Sequence, residues 1–264
     1  MSMNESRPHV TFTMLLDGFR GLGLTDGDTV IVHSSLSRFG YVEGGADAVV
    51  DALLAAVGAE GTVAVPTSPV IWTGGSHFHY IKHNPILDLR VTPSKLGAIT
   101  NALRIRPEAR PSLSACHTLH AIGVRRDWLL AGAETAVYPT GPGTPWHRNC
   151  TSGGKVLLIG IGQNSNTTIH TIEEAGGAPI LSSEVFYPMV IDLEGHIVTV
   201  PTRAHLPNHP RAFEKMDAVC QEHGIMQVGK IGNATLRLIE AKPFLELGIA
   251  ILEKDPLFLL AHNP

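Results

Sequence analysis

Apolar residues follow two rhythms along this chain, and the alternation between them predicts the fold. Phe12, Leu15, Leu16 and Phe19 recur at helical spacing, so residues 11–22 read as a helix. After the turn Asp26-Gly27-Asp28 comes Thr29-Val30-Ile31-Val32-His33, a short β-branched run of the kind that forms a buried strand. Ser34 to Tyr41 reads as a loop, 45–57 as a second helix and 61–66 as a second strand. The order strand-loop-helix-strand points to a parallel or mixed sheet covered by helices. Residues 68–93 carry Pro, Gly and His without periodicity and read as one long irregular loop, a length that often marks function.

Residues 94–104 then read as helix, 137–153 as a second loop-rich stretch, and 155–161 as the clearest buried strand. Val185–Leu193 and His196–Val200 form a hairpin around Glu194-Gly195, and helices are predicted over 211–223 and 231–252. The class that results is α/β: a single domain, residues 1–264, with a central mixed β-sheet flanked by helices.

Composition narrows the function more than it does the fold. The net charge of −4, with Lys and Arg scattered, gives no footprint for nucleic acid. No apolar run reaches the ~18 residues of a membrane span, and the polar start Met1–Pro8 lacks a signal-peptide core. Three cysteines, Cys116, Cys150 and Cys220, are an odd number without regular spacing, which fits free thiols in a reducing, cytoplasmic setting.

Candidate chemistry concentrates in Asn166-Thr167-Thr168-Ile169-His170-Thr171-Ile172-Glu173-Glu174, directly after the clearest strand. Asn and Thr are good N-caps, which puts His170 in the first turn of a helix at the C-terminal edge of the sheet. Ligands bind along that edge in open α/β sheets. Glu173 follows at i+3, on the same face, where a carboxylate can fix the imidazole tautomer and stabilise the imidazolium. The same pattern also describes a capped helix start with a core histidine.

Spread around that segment are His33-Ser34-Ser35-Leu36-Ser37, Gly44-Gly45, Gly61-Thr62, Pro66-Thr67, Asp88 and Thr92-Pro93-Ser94. Gly143-Thr144-Pro145-Trp146 and Gly153 to Gly160 follow, then His209, Arg211, Phe213, Gly232-Asn233-Ala234 and Asp255-Pro256. In this order, over nearly the whole chain, these motifs resemble the aminoglycoside 3-N-acetyltransferase family. The resemblance implies an antibiotic N-acetyltransferase-like fold rather than the common GNAT fold. In keeping with that, no Gln/Arg-x-x-Gly-x-Gly/Ala stretch is present. It also implies acetyl-CoA as co-substrate, direct transfer to an amine, His170 as general base with Glu173 behind it, and a role in antibiotic resistance. By the same resemblance Asp88 belongs to the substrate cleft, binding the acceptor amine or assisting the His. His33, Ser34, Ser35, Leu36 and Ser37 line the CoA channel, with Thr144 and Thr168 nearby.

Two departures bear on the acceptor. Family members that act on aminoglycosides resemble one another in an Arg-Ser-x-His-Pro stretch, and here Ser114-Ala115 replaces the His-Pro pair. They also carry carboxylates where this chain reads Thr202-Arg203-Ala204-His205-Leu206-Pro207-Asn208-His209. Arg203, His205, Asn208 and His209 are therefore placed on the substrate side, where Arg and His would repel a polycation. The expected partner is a small-molecule amine, an aminoglycoside or a less cationic amino-bearing metabolite; a homodimer is left open.

Two readings from other classes compete. Fourteen histidines include pairs at ligand-like separations, such as His117 and His120, His77 and His79, and His147 with Cys150. They would suit a metal-dependent hydrolase, but none forms a recognised zinc signature, and no metal is expected. A non-catalytic CoA- or amine-binding protein is the other. Cys116 beside His117 reads as adjacent strand residues facing opposite ways, hence a packing residue rather than a nucleophile.

Overall fold

The computed structural model describes residues 8–70, 76–207 and 209–261. In chain order the elements begin β1 (His9–Val10), α1 (Phe12–Leu22), β2 (Thr29–Ser34), β3 (Tyr41–Val42), α2 (Gly45–Val57) and β4 (Thr62–Thr67). Then follow α3 (Ser76–Ile81), β5 (Ile86–Asp88), α4 (Ala98–Arg104), β6 (Arg110–Pro111), β7 (Thr118–Gly123), α5 (Arg126–Leu130) and α6 (Pro145–Thr151). The chain continues through β8 (Lys155–Ile159), α7 (Thr168–Ala175), β9 (Met189–Ile191), β10 (Ile197–Thr199), α8 (Lys215–Glu222), β11 (Met226–Ile231), β12 (Ala234–Glu240) and α9 (Ala241–Lys254).

A seven-stranded sheet runs β11-β12-β8-β2-β4-β7-β6, with β8, β2 and β4 parallel and the outer pairs antiparallel. The expectation of a central mixed sheet flanked by helices is met. Period-two burial explains the layering. Val30, Val32, Val63, Val65, Leu157 and Ile159 face one way and pack under α1, α2 and α4 through Leu15, Phe19, Leu53 and Leu103. Their neighbours Val156 and Leu158 face the other way, against Ile169 and Ile172 of α7 and Phe244 and Leu245 of α9. Ile31 joins Leu119 and Trp146 on that second side. A smaller sheet, β10-β9-β5, sits apart, with β5 parallel to β9. Among the described residues no helix is long and apolar enough to cross a membrane.

Several expectations need correction. The stretch 68–93 is not one irregular loop, since it holds α3 and β5, and 137–153 holds α6. Helix α6 is short, but Thr144 caps it by accepting from the His147 N–H at 3.4 Å, and Pro145 occupies its first position. Residues 231–240 are strand rather than helix: β11 and β12 pair in register across a two-residue Gly232-Asn233 turn, and the helix begins only at Ala241.

Strand β7 ends at Gly123, whose φ of 132° lies outside ordinary side-chain territory. A Cβ built there would stand 2.1 Å from the Gly61 carbonyl oxygen. Gly123→Ala should therefore cost about 2 kcal/mol or more, read as a lower urea midpoint with unchanged slope. An unaltered midpoint would mean that the β4–β7 edge yields freely.

Candidate active site

The C-terminal ends of β2, β4 and β8 and the start of antiparallel β7 meet at one edge of the large sheet. A cleft of ≈ 370 Å³ opens there, lined by His33 and Ser34 from β2, Pro66 and Thr67 from β4, and His117 just before β7. The Asn164–Thr167 loop, His170 of α7, Arg211 and Phe213 close it. The loop before α7 is held by a polar chain. Asn166 Oδ1 accepts the Thr168 N–H, Asn166 Nδ2 donates to Gln163, and Gln163 donates to Asp217, which pairs with Arg237 of β12. That chain ties the front of α7 to α8 and the sheet.

His170 Nδ1 lies 2.6 Å from Glu173 Oε2. A carboxylate only accepts, so Nδ1 carries the ring proton and Nε2 is the nitrogen left for the cleft. The other oxygen of Glu173, Oε1, lies 2.8 Å from Arg211 Nε. Glu173 has no exposed side-chain surface, whereas His170 keeps 20% of its own. Arg211 was legible as a motif residue, but its link to Glu173 spans 38 positions and no local spacing could show it.

A second pair lies beneath the first. His205 is buried and stacks on His170, ring centroids 4.2 Å apart at 29°. Its Nε2 is 2.8 Å from Glu174 Oε1. Glu174 also accepts from the Thr140 N–H and hydroxyl and from the Gly141 N–H. Burial pushes the Glu174 carboxyl up to about 8 against those donors. Burial also holds His205 well below the usual histidine range, with the neighbouring His170, His77 and His117 adding to it. With Glu174 protonated and His205 neutral, the pair puts no charge under His170.

Other sequence-predicted residues fall in varied places. Ser34, Ser35, Leu36 and Ser37 line a second groove of ≈ 670 Å³ with Lys95, and Ser34 and Leu96 border both groove and cleft. The two spaces adjoin along those residues. His33 lines the cleft beside Trp146, buried, with its pKa pushed down to about 3 and no partner for Nε2 among the described residues. Thr144 and Thr168 do not join this groove: Thr144 is the α6 cap, and Thr168 is buried behind the cleft.

Asp88 sits on β5, its carboxylate 2.7 Å from Arg90 Nη2, and the hydrogen bond from that guanidinium lowers its pKa. It lines a small neighbouring hollow that touches the cleft only at Thr67 and Ser68. Arg203 lies over the Tyr138 ring at 5.9 Å, and His209 is engaged with the Pro207 carbonyl; neither lines the cleft. Asn208 lies outside the described residues. The charge inferred for this segment from Arg203 and His205 is thus not presented to the cleft: one is turned toward Tyr138, the other buried and neutral.

His77, Cys116 and His117 bring ligand-type atoms within 4.8 Å of one another. The proton count fits a metal poorly. His77 Nδ1 accepts the His205 amide N–H at 2.9 Å, so its own proton sits on Nε2, where a ligating nitrogen must be bare. Cys116 and His117 occupy a bend before β7 rather than a strand, so the opposite-face expectation does not apply. The packing expectation for Cys116 has a different ground: burial pushes its thiol up to about 12, far from a nucleophilic thiolate.

The sequence model of the aminoglycoside 3-N-acetyltransferase family matches residues 31–253. Aminoglycoside N(3)-acetyltransferase VII of Streptomyces paromomycinus is 29% identical over 279 residues, covering 96% of this chain and 94% of its own. The crystal structure of aminoglycoside acetyltransferase AAC(3)-Xa is similar with a TM-score of 0.79 and 29% identity, covering 93% of each chain. The structure of AAC-VIa bound to sisomicin is similar at a TM-score of 0.77 and 27% identity, covering 94% of this chain and 98% of that one.

Proposed function

Since the chain belongs to the aminoglycoside 3-N-acetyltransferase family, whose named members are acyltransferases, we propose that it transfers acetyl directly from acetyl-CoA to an amine, with His170 as general base. The observation that carries this reading is the His170–Glu173 pair at 2.6 Å, open to the cleft on the far side of the ring. An amine attacks a thioester only as the free base. In the step, its nitrogen forms a bond to the carbonyl carbon while the carbonyl electrons move to oxygen. The tetrahedral centre then collapses and the C–S bond breaks. His170 Nε2 takes the proton that the nitrogen loses and returns it to the departing sulfur, so the ring ends as it began. Glu173 holds the tautomer and balances the imidazolium, and Arg211 orients Glu173 through its second oxygen.

The groove along Ser34–Ser37 suits CoA. It adjoins the cleft, and Lys95 supplies positive charge for phosphate. The thioester would then pass Ser34 and Leu96 to reach His170. His33, neutral and short of a partner, belongs to the same path as a group able to hydrogen-bond the acyl end of the donor. No acyl-enzyme is needed, and the suppressed Cys116 thiol agrees with direct transfer. Nor does the step need a metal, since the base and its counter-charge are both supplied by side chains.

A thiol-release assay with acetyl-CoA tests the reading. CoA should appear only when an amine is present, in equal amount to N-acetylated product, and chelator-treated protein should keep its rate. Hydrolysis of acetyl-CoA without amine, or a rate restored only by added zinc, would replace transfer by metal-assisted hydrolysis.

A further inference from the structure

Among the described residues, no aspartate or glutamate lines the cleft in front of His170. Of the residues outside the description, 71–75, 208 and 262–264 contain no acidic side chain, and 1–7 contain one, Glu5. The two carboxylates behind the site are unavailable to a ligand. Glu173 and Glu174 have zero exposed side-chain surface, the first shared by His170 and Arg211, the second by Thr140, Gly141 and His205. Among the described residues the one formal charge on the cleft wall is the Arg211 cation, already balanced by Glu173, and the adjoining groove adds Lys95. Two carboxylates stand beyond the wall: exposed Glu214, next to the lining residue Phe213, takes the Asn164 N–H at 3.1 Å, and Asp88, in the hollow that meets the cleft at Thr67 and Ser68, is paired with Arg90 at 2.7 Å.

An aminoglycoside brings several ammonium groups, each of which loses water on entering and needs a counter-charge in return. Among the described residues the wall of this cleft has none to give, and without one nothing on the wall draws a polycation inward. A lone amine is treated differently. With no carboxylate beside it, burial favours its neutral form, which is the form that attacks. Resting on the acetyl-transfer reading above, we propose that the acceptor is a monoamine: one basic nitrogen on a hydroxylated body that is otherwise neutral or anionic, not a polycationic aminoglycoside.

The test compares kcat/KM by CoA release for glucosamine, glucosamine 6-phosphate, kanamycin and gentamicin, each at low and high salt. Alongside it, aminoglycoside is titrated calorimetrically into the CoA-loaded protein. The better monoamine should exceed both aminoglycosides by at least about tenfold, and the titration should show no saturable, salt-sensitive binding. Asn164 and Ser165, exposed on the cleft wall, provide the converse. Asn164→Asp and Ser165→Asp should each raise the aminoglycoside-to-monoamine ratio by about tenfold at low salt, and high salt should erase the gain.

Aminoglycoside turnover above every monoamine in the wild type would overturn the proposal while leaving acetyl transfer in place. Release of CoA with no amine in the panel would count against acetyl transfer instead. The calorimetry still decides the acceptor class in that case: tight, salt-sensitive aminoglycoside binding overturns it, and its absence supports it.

Discussion

His170→Ala should lower kcat by about 10²- to 10⁴-fold while the KM for acetyl-CoA changes little. Among the described residues the ring is the one group lining the cleft with a nitrogen left to accept and a carboxylate fixed behind it at 2.6 Å. The groove proposed for the donor runs along Ser34–Ser37, with no residue of α7 in its lining, so donor binding should be spared. Glu173→Gln offers a sharper test, because it keeps the shape. Arg211 Nε stands against Oε1 and can face only the amide oxygen of the new side chain. That turns the amide NH₂ toward His170 Nδ1, forcing Nδ1 to accept and Nε2 to carry the proton. A ring in that tautomer cannot take a proton from the amine through Nε2, so the loss should approach that of the alanine variant. Folding should be unaltered by near-UV circular dichroism. Full activity in His170→Ala would remove His170 as the base and leave the amine's proton to another group or to solvent.

Local rhythm carried the sequence reading where one element is strongly periodic and stands alone. Helices α1 and α2, strands β2 and β8, and the β9–β10 hairpin lie within a few residues of their predicted bounds. The reading failed where two elements share one apolar rhythm. Leu236, Leu238 and Ile239 of β12 run without interruption into Phe244, Leu245 and Leu252 of α9, and the sum imitates a single long helix. The Gly232-Asn233 pair between two alternating runs was the hairpin signal that separates them. Within the site, the i,i+3 relation of His170 and Glu173 was legible because a helix fixes it. The Arg211–Glu173 and His205–Glu174 pairs join residues more than thirty positions apart, so only the packing of the 205–213 segment on α7 creates them. Formal charge misled for the same reason. Arg203 and His205 count as cations in a sequence, but one is packed on Tyr138 and the other is desolvated to neutrality.

The protein should lose stability steeply on mild acidification from pH 7 to pH 5. Five histidines, His33, His77, His117, His120 and His205, are buried. Burial lowers the pKa of His33, His77 and His120 to about 3 and holds His117 and His205 well below the ordinary value. In the unfolded chain each returns to about 6.5 and binds a proton that the folded form refuses. A group held below its unfolded pKa contributes stability above that value and loses it as pH falls. Between pH 7 and pH 5 each of the three held at about 3 favours unfolding by about 2 kcal/mol, or about 6 kcal/mol together, and His117 and His205 act in the same sense. Glu174, raised from 4.5 to about 8, acts in the opposite sense across this range, since its folded form keeps a proton that the unfolded form has released. It returns about 2–3 kcal/mol, leaving a net loss of about 3–4 kcal/mol from the three, to which His117 and His205 add, against a usual total of about 5–15. Chemical denaturation at stepped pH should therefore show stability falling with an uptake of about two protons per molecule or more near pH 5. His120 lies outside the cleft, bonded to the Thr67 hydroxyl, so His120→Gln should remove one proton from that slope without touching the base. Stability that stays level from pH 7 to pH 5 would mean the buried imidazoles are already charged in the fold, and the neutral stack beneath His170 would go with it.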